Sequence, residues 1–239
     1  MQFNIQHGRN FLSKRIDLDA LADAISLLGG EVICLNEVYG EGPAEAFTDQ
    51  VGYLGLKLGY YPYFAPAIMI DGYGPYGNAL LSKYPVISAV TVPVPTVPRS
   101  HPGYFEDRCA FCAEIEAEGG RVTVIGIHFG LQPEEQSECV NTVCRLIDGA
   151  ASPVVLMGDF NVEPDDPVLA PIRARLSDSA ALPGGDAATF PSDEKRIKID
   201  YIFHSDALRA SSVKVPDLIV SDHLPIVCSI TLPEERTAQ

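Results

Sequence analysis

Five apolar segments of this chain each meet an acid, an amide or an imidazole at one end. Val-Ile-Cys-Leu runs into Asn36 and Glu37, and Val-Thr-Val-Ile-Gly-Ile runs into His128. Pro-Val-Val-Leu-Met-Gly runs into Asp159, Phe160 and Asn161. Asp200 opens Tyr-Ile-Phe, and Asp222-His223 precedes Leu-Pro-Ile-Val. An ionised carboxylate at the end of a buried strand is costly unless paired, and metal ions or protonated histidine are suitable partners. Histidine titrates near neutrality, so it can move a proton or hold an anion. Any one of these acids alone is usually a turn former or a helix cap. Their joint presence at comparable topological positions points to a site, because strand ends converge on sites in layered α/β folds. His7, His101 and His204 have no such setting and read as ordinary core or surface residues.

The elements that must carry these residues are visible in the hydropathy pattern. Helical spacing marks residues 17–28, with Asp17 or Asp19 as cap and Gly29-Gly30 as stop. It recurs over 44–58 (Phe47, Val51, Leu54, Leu58), 137–148 and 166–176, where Pro167 suits a first helical turn. Strand-like runs rich in Val and Ile lie at 32–35, 78–82, 122–127, 154–157, 200–203 and 225–230. Strands and helices interleave without a linker or repeat, which predicts one α/β domain over residues 1–239. Pro93, Pro95, Pro98 and Pro102 predict a long surface loop.

The 239 residues carry 32 acidic against 17 basic side chains, a net charge of −15. That charge disfavours a nucleic-acid coat or an anionic-membrane binder, since phosphates attract lysine and arginine. No apolar run is long enough to span a bilayer. Residues 1–8 lack a basic region followed by an apolar one, so no secretory signal is read and the cytoplasm is the expected location. The six cysteines include one CxxC, Cys109 and Cys112, without a second pair at zinc spacing; they are expected to be reduced and structural.

Taken in order, the motifs are Asn4-Ile5-Gln6-His7-Gly8, Asn36-Glu37-Val38, Gly77-Asn78-Ala79-Leu80-Leu81-Ser82-Lys83-Tyr84-Pro85, Gly126-Ile127-His128-Phe129, Gly158-Asp159-Phe160-Asn161, Ile199-Asp200-Tyr201-Ile202-Phe203 and Ser221-Asp222-His223-Leu224-Pro225. From residue 4 to about 230 the chain resembles the endonuclease/exonuclease/phosphatase family, which includes deoxyribonuclease-like nucleases, abasic-site endonucleases, sphingomyelinases and inositol polyphosphate 5-phosphatases. Gly-Asp-Phe-Asn is moderately specific alone and strong when Ser-Asp-His-Leu-Pro follows about 60 residues later. The chain departs from the family pattern in having Asn36 where Gln is common, and Asn78 near the place of an extra acid of some nucleases.

The resemblance implies a four-layer α/β sandwich of two packed, mostly antiparallel sheets flanked by helices. It implies phosphoester hydrolysis assisted by Mg²⁺ or Mn²⁺, with Glu37, Asn4 (through its amide oxygen) and Asp222 as metal ligands. It further implies that Asp159 orients or deprotonates the attacking water, Asn161 steadies it, and His223 touches the phosphate or transfers a proton, oriented by Asp200. His128 would donate to the phosphate or protonate the leaving oxygen. Asn78 and Arg108 are candidate substrate contacts; Arg108 is equally a surface salt-bridge partner of Glu106 or Asp107. Near-minimal length and acidity favour a small or lipid-derived phosphoester over nucleic acid. A nuclease would need a basic track, and the only dense basic cluster is Lys195-Arg196-Ile197-Lys198, either a phosphate holder or a solvated hairpin. A non-catalytic binding module on the same fold is the alternative from another class.

Overall fold

The computed structural model describes residues 1–43, 49–181 and 187–232. The first sheet has the order β1-β2-β4-β3, from β1 (Gln2–Asn4), β2 (Val32–Tyr39), β3 (Tyr61–Ile70) and β4 (Gly74–Ser82). The second has the order β5-β6-β7-β8-β10-β9, from β5 (Val86–Pro93), β6 (Cys109–Ala117), β7 (Gly120–His128), β8 (Val154–Asp159), β9 (Ser177–Asp178) and β10 (Asp200–His204). Among the described residues, only β1/β2 and β7/β8 pair in parallel. A hairpin of β11 (Arg209–Lys214) and β12 (Val227–Thr231) continues the first sheet through two backbone hydrogen bonds between Gln2 and Ile226.

Strand alternation divides the apolar residues among three cores, which makes the structure four-layered. Cys34, Leu80, Phe111, Val124, Met157 and Ile202 meet between the sheets. Their chain neighbours Ile33, Leu35, Ala79 and Leu81 point the other way, onto α1 (Leu18–Leu28) and α2 (Gln50–Leu58). Ile125, Ile127, Leu156, Tyr201 and Phe203 face α3 (Pro133–Asp148) and the short α4 (Ala170–Arg173). This is the four-layer arrangement that the family resemblance implied.

The helix ends follow capping chemistry. Asp17 accepts from Ala20 N at 2.9 Å, and Gly29 closes α1 in the left-handed region. Gln132 and Glu135 form a capping box that starts α3 at Pro133, one turn before the apolar spacing begins. Asp49 caps α2 at Gln50, and residues 44–48 of the helix expected over 44–58 lie outside the described residues. The helix expected over 166–176 is instead a 3₁₀ turn (Pro167–Leu169) running into four α-helical residues. Val168, Leu169 and Ile172 need only that much helix to reach the outer core.

Phe160 is fully buried among Phe129, Tyr201 and Phe203, with ring centroids 4.4, 5.1 and 5.6 Å away. Phe160→Ala leaves a cavity in a rigid setting. It is expected to cost about 3–5 kcal/mol of stability, read as a lowered denaturation midpoint in urea.

Candidate active site

Two rows of polar side chains face each other at one end of the inter-sheet core. In the first sheet, register aligns Asn4 with Asn36, and Asn36 with Asn78. In the second, it aligns His128 with Asp159, and Asp159 with Asp200. All six are buried. The rows interlock: Asn36 Nδ2 donates to Asn78 Oδ1 (2.8 Å) and to the Ile127 carbonyl (3.0 Å), while its Oδ1 accepts from Asp159 N at 3.0 Å. Gly158 permits the close strand approach behind Asp159, because a Cβ there would lie 2.1 Å from the Ile127 carbonyl oxygen.

Directly opposed carboxylates repel. Asp159 and Asp200 are opposed, and His223 sits between them. Its Nδ1 lies 2.8 Å from Asp200 Oδ2 and its Nε2 3.6 Å from Asp159 Oδ2. Asp200 is further held by Thr189 Oγ1 (2.5 Å) and Gln2 Nε2 (3.2 Å), and the imidazole packs on Phe190. Burial alone would lower the His223 pKa, but Asp200 and Asp159 overcome it and raise it to about 10. Asp159 moves up, chiefly through burial; His223 pulls against this and Asp200 adds to it.

Glu37 leaves the strand pleat at a bulge in β2, with φ of 60°. This strained backbone turns its carboxylate toward the site. Asn4 Nδ2 bridges Glu37 Oε1 and Asp159 Oδ2 at 3.0 Å each, and Tyr76 Oη donates to Glu37 Oε2 at 2.8 Å. The Asn4 amide oxygen accepts from Gln6 N at 3.1 Å, so the nitrogen end of this amide faces the carboxylates. Asp222 accepts from Gln6 Nε2 at 2.8 Å, and burial, then the charge of Glu37, push its pKa up against the pull of His223. Asn161, also at positive φ (52°), donates its backbone N–H to Asp159 Oδ1 at 3.0 Å.

The structure thus brings Asn4, Glu37, His128, Asp159, Asn161, Asp200, Asp222 and His223 into one polar cluster. Asn78 stands in the first row but spends its amide on Asn36 and on the Cys109 carbonyl. Arg108 is buried and paired with Glu106 at 2.7 Å, so the ion pair exists but is not a surface one. Gln2, Gln6, Tyr76, Glu106 and Thr189 also belong to the site. Of these, Gln6 lies within a sequence motif and Glu106 is one of the two partners the sequence offers for Arg108. The basic cluster is neutralised: Lys195 pairs with Asp217, Arg196 with Glu194 and Lys198 with Asp178. All six cysteines are free thiols.

Among the described residues, Asp159, Asp200 and His223 form a grouping whose ligand atoms lie within 4.8 Å of one another, close enough to hold a metal ion. No described helix is long and apolar enough to cross a membrane. Residues 1–223 match the Endonuclease/Exonuclease/phosphatase family. The chain belongs to that family. Its members hydrolyse phosphoesters and are generally dependent on divalent metal ions. The Escherichia coli (strain K12) protein YbhP is 26% identical over 255 residues, spanning 97% of this chain and 95% of the relative. A family protein from Leptotrichia buccalis shares the fold with a TM-score of 0.76, 20% identity and coverage of 97% and 98%. The mannosyl-6-phosphatase Bt3783 of Bacteroides thetaiotaomicron shares it with a TM-score of 0.70, 15% identity and coverage of 90% of each chain.

The two buried histidines have opposite linkage to pH. An unfolded imidazole titrates near 6.5, whereas folded His223 keeps its proton to about 10. Between those values the folded state binds more protons, so this stabilisation is fully present below about pH 6.5 and is lost as pH rises through about 10. His128 is lowered well below 6.5 by burial, then by Arg108 and His223. Its contribution is present above pH 6.5 and is lost as pH falls. Thermal unfolding in chelator is expected to show a stability loss for wild type above pH 7 that is shallower in His223→Ala. Parallel profiles would contradict the His223 assignment.

Proposed function

We propose that this chain is a divalent-metal-dependent phosphoesterase that hydrolyses a small or lipid-derived phosphoester by in-line attack of water. The observation that carries the reading is the placement of His223 between Asp159 and Asp200, facing Glu37 and Asp222 across the end of the sandwich. Glu37 and Asp222 are hard oxygen donors that accept hydrogen bonds from neutral groups: Asn4 and Tyr76 for one, Gln6 and Ser221 for the other. Among the described residues neither forms an ion pair with lysine or arginine. Two such carboxylates fit a hard divalent cation such as Mg²⁺ or Mn²⁺. Asn4 joins them if its amide turns over and gives up the Gln6 bond. When bound, the ion supplies Lewis-acid neutralisation of the phosphoryl oxygens.

The remaining groups have separate tasks. Asp200 spends its carboxylate on Thr189, Gln2 and His223, which suits orienting the imidazole better than ligating an ion. Asp159 has one oxygen fixed by Asn161 N and the other in reach of Asn4, His128 and His223, the position for taking a proton from water. His223, positively charged, faces the non-bridging oxygens. Lys195, Arg196 and Lys198 are each paired with an acid, which supports the small-substrate reading over the nuclease one.

The test is a phosphoester panel with Mg²⁺ and Mn²⁺, comparing aryl mono- and diesters, inositol phosphates, phospholipid headgroups, plasmid and abasic-site oligonucleotides. Turnover of small or headgroup esters that stops in chelator is expected. Efficient cutting of nucleic acid would replace the substrate assignment. No turnover with either metal would leave the binding-module alternative.

A further inference from the structure

The first sheet reaches the site with its strands out of step. β1 stops at Asn4, paired with Asn36, and beyond it Ile5 N donates to the Asn36 carbonyl at 3.1 Å. Gln6 and His7 then turn away with φ of 43° and 49°. β2 runs on past its bulge at Glu37 to Tyr39, paired on its other side with Tyr76 of β4. A buried strand that outruns its neighbour has N–H groups in need of a partner. For Tyr39 the Gln50 side chain supplies one: its Oε1 accepts from Tyr39 N at 3.0 Å. Gln50 Nε2 donates in turn to the His7 carbonyl at 2.8 Å.

The orientation of this amide is fixed by its partners. A carbonyl only accepts and a backbone N–H only donates, so the oxygen of Gln50 faces Tyr39 and its nitrogen faces His7. Gln50 is fully buried as the first residue of α2, which Val51 and Leu54 anchor in the core between the first sheet and its helices. The two groups it joins belong to the two arms that hold carboxylates of the site. Gln6, next to His7, donates to Asp222 Oδ2 at 2.8 Å. Tyr39 follows Glu37 by two residues, and its ring lies 4.8 Å from that of Tyr76, which bonds Glu37. Left-handed backbone at residues other than glycine persists only where its surroundings fix it. Gln50 fixes both arms at once.

We propose that Gln50 is a positioning residue: its amide takes the place of a strand beyond the end of β1 and ties the left-handed turn at Gln6 and His7 to the end of β2, which sets the separation of the Glu37 and Asp222 carboxylates. Its own hydrogen bonds go to neither carboxylate, so it acts on a divalent cation only through them. Only the cation rests on the phosphoesterase reading. Without the amide the ion is bound more weakly, but the chemistry of an ion-loaded protein is unchanged. The loss therefore appears in the metal requirement and not in turnover at saturating metal.

The experiment uses the full chain, with Mg²⁺ alone as the probe. In wild type kept in chelator, NMR is expected to show strong intraresidue HN–Hα NOEs at His7 and Glu37, the mark of positive φ, and slow hydrogen exchange at the Tyr39 amide. An extended Glu37 or a rapidly exchanging Tyr39 amide overturns the proposal whether or not any variant folds. Gln50→Met keeps an unbranched side chain of similar length and removes the amide. It is expected to weaken the Glu37 NOE, to speed Tyr39 exchange and to raise the Mg²⁺ Kd in calorimetry by about tenfold or more. On whichever ester the panel identifies, it should regain near-wild-type kcat at saturating Mg²⁺. Leu54→Ala removes core packing from the same helix and leaves the amide, so it should lower the melting temperature with an unchanged Mg²⁺ Kd. An unchanged Kd in Gln50→Met overturns the proposal and makes Gln50 a stabiliser of α2 alone. A Kd that rises equally in Leu54→Ala overturns it too. The expected backbone response in a protein that binds no Mg²⁺ upholds the positioning of the two arms and removes the metal-dependent reading.

Discussion

Asp159→Asn is expected to lower metal-dependent phosphoester turnover by about 10²- to 10⁴-fold while leaving a folded protein. The carboxylate accepts on both oxygens, from Asn161 N on one and Asn4 Nδ2 on the other, each at 3.0 Å. An amide has one oxygen, so its NH₂ must face one of those donors. This costs about 1–3 kcal/mol locally, offset in part because the repulsion with Asp200 disappears. The variant can no longer take a proton from water, yet every neighbouring strand contact survives. His223→Ala should lose activity on a similar scale for a different reason. It removes the cation between two buried carboxylates, so its melting temperature should fall further than that of Asp159→Asn. Steady-state kinetics on an aryl phosphodiester with Mg²⁺, alongside circular-dichroism melts, check both. Near-normal turnover in either variant would sink the assignment of that residue.

The part of this site that was legible in the sequence is the part written along single strands. His128, Asp159 and Asp200 stand out because each interrupts a buried apolar run, and a buried run tolerates a polar residue only with a partner. Asp17 was legible as a cap because capping is local. What register and layer packing create could not be read. Gln2 and Thr189 meet at Asp200 although they lie 187 positions apart in the chain. Tyr76 reaches Glu37 only because β4 pairs with β2 at a bulge. Edge strands were also hidden. β3 carries Pro62 and Pro66 and is only partly buried, so it lacks both the alternation and the Val/Ile runs of a central strand. Arg108 is visible in the sequence, but its two meanings separate only once Glu106 and His128 are seen to lie on either side of it.

Glu37→Gln is expected to weaken Mg²⁺ binding by about a hundredfold or more, the upper end of what losing even an indirect ligand contact costs. The substitution is nearly isosteric, and the surroundings can accept it. Asn4 Nδ2 donates to one carboxylate oxygen and Tyr76 Oη to the other. Glutamine can keep its oxygen toward Asn4 and turn its NH₂ toward Tyr76, whose hydroxyl oxygen can accept. The strained φ of 60° at this position is a backbone property and does not change. What changes is charge: one of two carboxylates within electrostatic reach of each other becomes neutral. Asp222, whose pKa the Glu37 charge helps to push up, should then titrate lower in the variant. Calorimetry of Mg²⁺ against both proteins gives the affinity ratio, and activity as a function of Mg²⁺ should show the same displacement of the midpoint. The ratio should survive at high salt, because a contact ligand is screened far less than a surface charge. An unchanged affinity would move the ion to Asp159, Asp200 and His223, the other grouping close enough to hold it. His223 would then be a ligand and not the proton carrier between those two acids.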